Sequence, residues 1–242
     1  MNEEPDLAII EEERRVRRQT DVNYILKCVG VFILLLLAAI VFAPVIFKSR
    51  KKTDMTQTVS NAKQVYLVLL DFESDYGTFP DDNSAKLGPK LSDYHGAYSN
   101  DYLGQIIADG YTTSESIFYA YRKGSSKKPD DVISPPANIL EKGECGFAYT
   151  MVKDAGTIRG LSTKDNPGIP IVSAIVTDDK GRFDPKSYDN RGVYIRVDSS
   201  ARSERTRVSD NKVRISGGKA LFETGSLTVW GNLDPIILLP ER

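Results

Sequence analysis

The sequence predicts an α+β protein: one long N-terminal helix, part membrane-spanning and part amphipathic, packed on a head built from an antiparallel β-sheet. Three features point there. Ile25 to Phe47 is a nearly unbroken apolar run; apolar residues at helical spacing continue to about Tyr76; and the last third alternates short β-rich runs with turns. Composition narrows the chemistry. The 242 residues carry a formal net charge of −1, which gives no basic excess for a nucleic-acid partner. Only Cys28, Cys145 and His95 offer soft or imidazole ligands. A disulfide framework, a multi-histidine metal centre and a Cys-rich zinc site are therefore excluded.

The elements follow in chain order. Residues 1–24 form a short charged tail (EEPD, then EEERRVRR) that is expected on the cytoplasmic side. Residues 25–47 form the span: at 1.5 Å per residue they reach roughly 34 Å, enough for a hydrocarbon core of about 30 Å. Lys27 is its one charge, near an end from which the amine can snorkel. The span is longer than a cleavable signal core and is followed by Phe47-Lys48-Ser49-Arg50, so an uncleaved signal anchor is expected. Arg14, Arg15, Arg17 and Arg18 before it balance Lys48, Arg50, Lys51 and Lys52 after it. The positive-inside rule therefore does not choose an orientation.

Residues 48–76 read as an amphipathic helix continuing from the anchor, with Pro44 as a kink between the two. Val59, Ala62, Tyr66, Leu69 and Glu73 form one stripe and Val65, Val68, Phe72 and Tyr76 a second. Gly77 and Pro80 stop the helix. Residues 77–242 form the globular head. Within it Asp81-Asp82-Asn83 and Gly88-Pro89 read as loops, 103–110 as a short helix closed by Gly110, 114–119 as the start of another, and 125–131 as a polar loop. Strands are expected over 146–152, 169–176, 192–197, 219–222 and 226–230.

The stretch KKTDMTQTVSNAKQVYLVLLDFESDYGTFPDD, with Ser60-Asn61-Ala62-Lys63-Gln64 and Asp75-Tyr76-Gly77-Thr78-Phe79-Pro80, resembles the region after the membrane helix in type IV pilin-like proteins, including type II secretion pseudopilins. Residues 99–120, 140–152 and 218–230 fit the same branch, one common in Verrucomicrobia, so the resemblance spreads over most of residues 44–230. It implies a pilin-like fold, a single pass through the bacterial inner membrane with the N-terminus cytoplasmic and the head periplasmic, and no enzymatic activity. The implied partners are membrane lipid, other pilin-like or secretion-system subunits, and a second copy of the chain. Two positions depart from the family. Val22 stands where the family has glycine before the peptidase cut, and Lys27 stands where it usually has a buried glutamate that pairs with a neighbour's N-terminal amine. A lysine repels such an amine, so the chain is expected to keep its N-terminus.

Helices in lipid associate through small residues and polar anchors, because lipid offers no hydrophobic drive. Lys27, Gly30, Ala39, Ala43 and Pro44 are the assembly candidates on that ground, with Ala38 adding small surface. Elsewhere the chemical signals are thin. Asp178, Asp179 and Asp184, with Asp189-Asn190 nearby, put oxygen ligands together in a way calcium accepts, although the spacing fits no EF-hand and a solvated turn has the same composition. The resemblance adds that some major pseudopilins carry a calcium-stabilised C-terminal loop. No other cofactor is implied. A Cys145–His95 pair would supply a nucleophile and a base, but no motif aligns the two residues. Gly217-Gly218-Lys219 lacks the upstream glycine and following hydroxyl of a phosphate loop, and Arg202 to Arg207 reads as an exposed loop or strand rim. Two functions remain open at this stage: an assembly component of a type II secretion or type IV pilus-type system, or a signal-anchored extracytoplasmic scaffold or ligand-binding protein.

Overall fold

The computed structural model describes residues 7–122, 126–136 and 138–242, with side chains for all of these except 7–14, 16, 18–23, 44 and 45. Helix α1 runs Leu7–Tyr76. The chain divides into two compact units, residues 1–50 and 51–242. The helical part of the head therefore belongs with the sheet, as the amphipathic pattern implied.

The first unit is helix. Its described side chains from Tyr24 to Phe47 are exposed or half-buried, with Leu34 at 68% and Phe32 at 62% exposure. It is the one helix among the described residues long and apolar enough to cross a membrane. Pro44 falls within α1, and its side chain lies outside the described residues.

In the second unit, residues 51–76 of α1 bury one face: Thr58, Asn61, Ala62, Val65, Tyr66, Leu69 and Phe72. These positions recur every three or four residues, the pitch of one helical stripe. The opposite face, with Ser60, Lys63, Gln64, Asp71 and Ser74, is exposed. The helix ends where Gly77 turns to a φ of +80°, a left-handed conformation that costs glycine nothing, and donates its N–H to Glu73 O at 2.7 Å.

The head adds α2 (Asp82–Leu87), α3 (Ser99–Ala108), and strands β1 (Phe147–Asp154), β2 (Thr157–Gly160), β3 (Pro170–Ala174), β4 (Arg191–Arg196), β5 (Ala201–Arg205) and β6 (Asp234–Leu238). They form one antiparallel sheet ordered β2-β1-β3-β4-β5, with β6 also on β1. Tyr149 pairs with both Val172 and Leu238, and Met151 with both Gly160 and Ile236. One edge of β1 is thus shared end to end by β3 and β2, and the other is taken by β6. Alternation splits the sheet residues between two cores. Phe147, Tyr149, Val172, Val193 and Ile195 join Ala62, Val65, Leu69 and Phe72 of α1. Ala148 and Tyr194 point the other way, into a smaller core with Val176, Phe183, Val213 and Leu221 from the connecting loops.

Several local expectations need correction. Asp81 to Asn83 is no loop: Asp81 caps α2, its Oδ1 accepting the N–H groups of Asn83 at 2.8 Å and Ser84 at 2.9 Å. Residues 219–222 contribute a single bridge, Arg214 with Ala220, and the Ala220 N–H, on the other side, is taken by the Glu223 carboxylate at 2.9 Å. Residues 226–230 are a turn closed by the Gly225–Gly231 bridge and by Thr228 Oγ1 donating to Gly225 O. Strands β2 and β6 were not expected, and of the two readings kept for Arg202 to Arg207, exposed loop or strand rim, the second describes β5. The run Arg202 to Arg207 contains most of β5, a half-exposed edge strand whose charges suit an outer edge. The start expected at 114–119 is a 3₁₀ turn, Glu115–Phe118.

Candidate functional site

The assembly candidates lie on α1. Lys27, Gly30 and Ala39 are exposed, Ala43 is half-buried, and a Cβ added at Gly30 would meet nothing within 4 Å. At about 100° per residue, Ala39 and Ala43 fall roughly 40° apart on one face. Lys27, by the same arithmetic, sits roughly 120–160° away, sharing its face with Ala38 and more loosely with Gly30. Apart from Pro44, which falls about 100° from Ala43 and about 100° from Lys27, the candidates divide into two stripes, one polar-anchored and one small and apolar.

Of the residues quoted for the resemblance, Asn61, Ala62 and the run from Asp75 to Pro80 tie the helix to the head, whereas Ser60, Lys63 and Gln64 are exposed. Asn61 reaches off α1 to donate its Nδ2 to Ser116 O at 3.0 Å and Tyr119 O at 2.8 Å. Ala62 is fully buried beside it, where a larger side chain would have no room to spare. After Gly77, Phe79 buries completely and donates its N–H to Leu161 O at 2.8 Å, while Pro80 O accepts Tyr149 OH at 2.9 Å. Tyr76 OH donates to Asp109 at 2.8 Å and Tyr111 OH to Asp75 at 2.5 Å. Burial and the Asp109 carboxylate push the Tyr76 phenol up to about 12, so it remains a donor. These residues fix how the helix hands the chain to the head.

The calcium candidates make separate local turns. Asp178 Oδ1 accepts the N–H groups of Lys180 and Arg182, both at 3.1 Å, and its Oδ2 is ion-paired with Arg182 Nε. Asp184 accepts Lys186 N at 3.0 Å and Ser187 Oγ at 2.6 Å. Asp179 is exposed. Among the described residues the carboxylates that do converge, with oxygens within 4.8 Å of one another, are Glu115, Asp130 and Glu144. That convergence escaped sequence reasoning because Glu115 comes from a distant turn. Two of the three already face an ammonium: Lys127 Nζ lies 3.0 Å from Glu144 and 3.9 Å from Asp130, and 2.5 Å from the neighbouring Glu141. Glu115 in turn accepts Leu140 N at 2.9 Å and Asp131 N at 3.1 Å, clasping the 126–145 loop to the 3₁₀ turn. Burial raises its carboxyl above the usual value of 4.5 despite those donors.

Cys145 and His95 do not form a pair. The thiol is buried, with Ser99 Oγ at 3.8 Å and Phe147 O at 3.5 Å as its neighbours, whereas His95 is exposed. Burial pushes the thiol up to about 11, so little thiolate exists near neutral pH. Cys28 is exposed on the apolar helix. Comparison with family models, with curated proteins and with solved structures finds no match.

Proposed function

We propose that this protein is a non-enzymatic, membrane-anchored assembly component of the pilin or pseudopilin kind. In this reading it passes once through a bacterial inner membrane, with residues 1–24 cytoplasmic and the head on the far side. The single observation that carries the reading is the double use of α1: one stretch is apolar all round and uncovered, and another forms the buried spine of the head. An anchor needed only for tethering has no reason to continue as the main core element of its cargo domain. Asn61 and Ala62 of the first quoted element, which face the head, and the Asp75 to Pro80 element, where the helix ends, support it too.

Assembly then falls to the two stripes of the span. Ala39 and Ala43 give a close-approach surface, and Lys27 seeks a carboxylate on a neighbour or snorkels to the headgroups. Cysteine substitution at 39 and 43 in a Cys28→Ser background, followed by crosslinking in native membranes, should capture a second copy or a partner with the same architecture. Lys27→Glu should change the captured set, and Lys27→Arg should preserve it. If neither position crosslinks, and deletion of the gene leaves secretion and surface fibres intact, the assembly reading fails and the anchored scaffold or ligand-binding alternative takes its place.

A further inference from the structure

Glu115 is a buried carboxylate to which membrane assembly gives no role. It opens the 3₁₀ turn, is 1% exposed, and spends both oxygens on one loop. Its Oε1 accepts the Leu140 N–H at 2.9 Å and its Oε2 the Asp131 N–H at 3.1 Å. The grip is returned, because Asp131 Oδ1 accepts the Glu115 N–H at 2.7 Å. One side chain thereby holds two limbs of the loop, residues 127–132 and 139–144, to the turn.

Both gripped residues are held against their own preference. Asp131 has a φ of +56° and Leu140 a φ of +46°, a left-handed conformation that a side chain disfavours. Such conformations persist only where surrounding contacts over-determine them, and they are characteristic of segments that switch. Here the contacts are the two Glu115 oxygens and, for Leu140, burial in the main core and the Asn100 amide on its carbonyl. Lifting either limb relieves the backbone at the cost of those contacts.

Charge adds a second tension, and this one depends on pH. With the limbs down, carboxylate oxygens of Glu115, Asp130 and Glu144 lie within 4.8 Å of one another, and Glu115 and Glu144 are each 1% exposed. Asp131 and Glu141 stand beside them, and the Lys127 ammonium is the cation that meets the group. From α1 the turn meets the neutral Asn61 amide, and from α3 the neutral Asn100 amide meets Leu140 O. One ammonium does not balance these carboxylates, so closing with all of them ionised is opposed by burial and by like-charge repulsion. At Glu115, burial and the Glu144 and Asp130 charges outweigh the two N–H donors and raise the carboxyl above its ordinary value. We propose that the two limbs form an acid-closed strap: a proton taken from solvent and shared between Glu115 and its neighbouring carboxylates locks them onto the 3₁₀ turn, and its loss as pH rises lets them lift and bare Ile139 and Leu140. A group that holds its proton more tightly closed than open favours closure fully below its open value, and that contribution is lost as pH rises through the closed one. The strap stands apart from the membrane helix and does not depend on the assembly reading.

The test is hydrogen exchange read by mass spectrometry on the full chain in lipid nanodiscs, at constant ionic strength and corrected for the intrinsic pH dependence of exchange. Peptides covering 127–132 and 139–144 should open at least about threefold more often at about pH 7.5 than at about pH 5, while peptides of β1 keep their protection. Glu115→Gln, neutral at every pH, should open more than the parent and lose the pH dependence. Where its Trp230 emission shows a misfolded head, Asp130→Asn replaces it; its amide oxygen can still accept the Val132 N–H, and it should open less than the parent at the higher pH. Equal opening at the two pH values, the opposite sign, or a parallel change in β1 overturns the proposal. So does a folded Glu115→Gln variant that keeps the parent's pH dependence, or a folded Asp130→Asn variant that opens as the parent does at the higher pH. Closure of the limbs by calcium at the higher pH, in place of a proton, would assign the carboxylates to a metal ion and overturn it as well.

Discussion

Asp81 gives the sharpest test of how the long helix is tied to the sheet. Its carboxylate is 1% exposed and divides its two oxygens between different elements. Oδ1 caps α2 through Asn83 N and Ser84 N, while Oδ2 accepts Gly160 N at 3.1 Å, across to β2. The partner cannot move away easily. Phe79 O would lie 2.1 Å from a Cβ at Gly160, so the two backbones already touch. Replacing Asp81 by alanine removes a cap worth about 1 kcal/mol. It also strands the buried Gly160 N–H, at a cost of about 1–3 kcal/mol. Together the loss is about 3 kcal/mol, which in a unit of this size lowers the melting temperature by about 6–12 °C.

Asp81→Asn separates the two contributions. Its one carbonyl oxygen can keep the α2 cap, but its amide then turns a donor toward the Gly160 N–H. The recovery should be only the cap, about 1 kcal/mol. Trp230 is the sole tryptophan, 2% exposed, with its Nε1 donating to Leu221 O at 2.7 Å, so its emission reports the packed head. Thermal and urea unfolding of the detergent-solubilised chain should be followed through it. A loss below about 1 kcal/mol in the alanine variant, or an asparagine variant as stable as the parent, would refute the idea that this carboxylate bridges α2 to β2.

Two further outcomes can be measured in the same preparation. Asn61→Ala leaves the Tyr119 carbonyl without its side-chain donor and the Ser116 carbonyl with only the Tyr119 N–H at 3.3 Å, and should cost about 1–3 kcal/mol; Asn61→Asp, which sets an anion against the same two carbonyls, should cost more, and an aspartate variant as stable as the alanine one would contradict the contact. Glu115 has a folded-state pKa raised above 4.5 by burial, so the folded state holds its proton more tightly than the unfolded chain does. The linked stability is therefore greatest when the group is protonated and falls as pH rises from 4.5 through the folded value; a carboxyl resonance of Glu115 titrating at or below 4.5 by carbon NMR would reverse that sign.

The helix and the central strands were legible because their signal is periodic and one-sided. Ala62, Val65, Leu69 and Phe72 had to face something, and β1, β3 and β4 are apolar runs that lie inside the sheet. What sequence reading lost were elements whose stability is borrowed. Strand β2 exposes two of its four residues, β5 is largely charged, and β6 begins Asp234-Pro235; each becomes a strand because a neighbouring strand supplies the ladder. The reverse error has the same source. Residues 226–230 have β-formers, but Gly225 and Thr228 close a turn locally before any neighbour can pair with them.

Sites divide along the same line. The assembly candidates Lys27, Gly30, Ala39 and Ala43 stand out in the sequence because a charged or small residue is conspicuous in a long apolar run. The surface cavity beside the N-terminal end of α3 was not, since its walls come from positions as distant as Asp93 and Glu241 and are brought together only by tertiary packing. Asn100 shows how that meeting is arranged: its Nδ2 donates to Leu140 O at 2.6 Å, and its Oδ1 accepts Glu241 N at 2.9 Å. One buried amide on α3 thus sets both the 139–141 wall and the C-terminal wall of the cavity. Asn100 stands in the first turn of α3, where its intrinsic helix propensity offers little. Its place at 100 follows from those two backbone partners, which makes the cavity walls a built feature of the head rather than a gap left between loops.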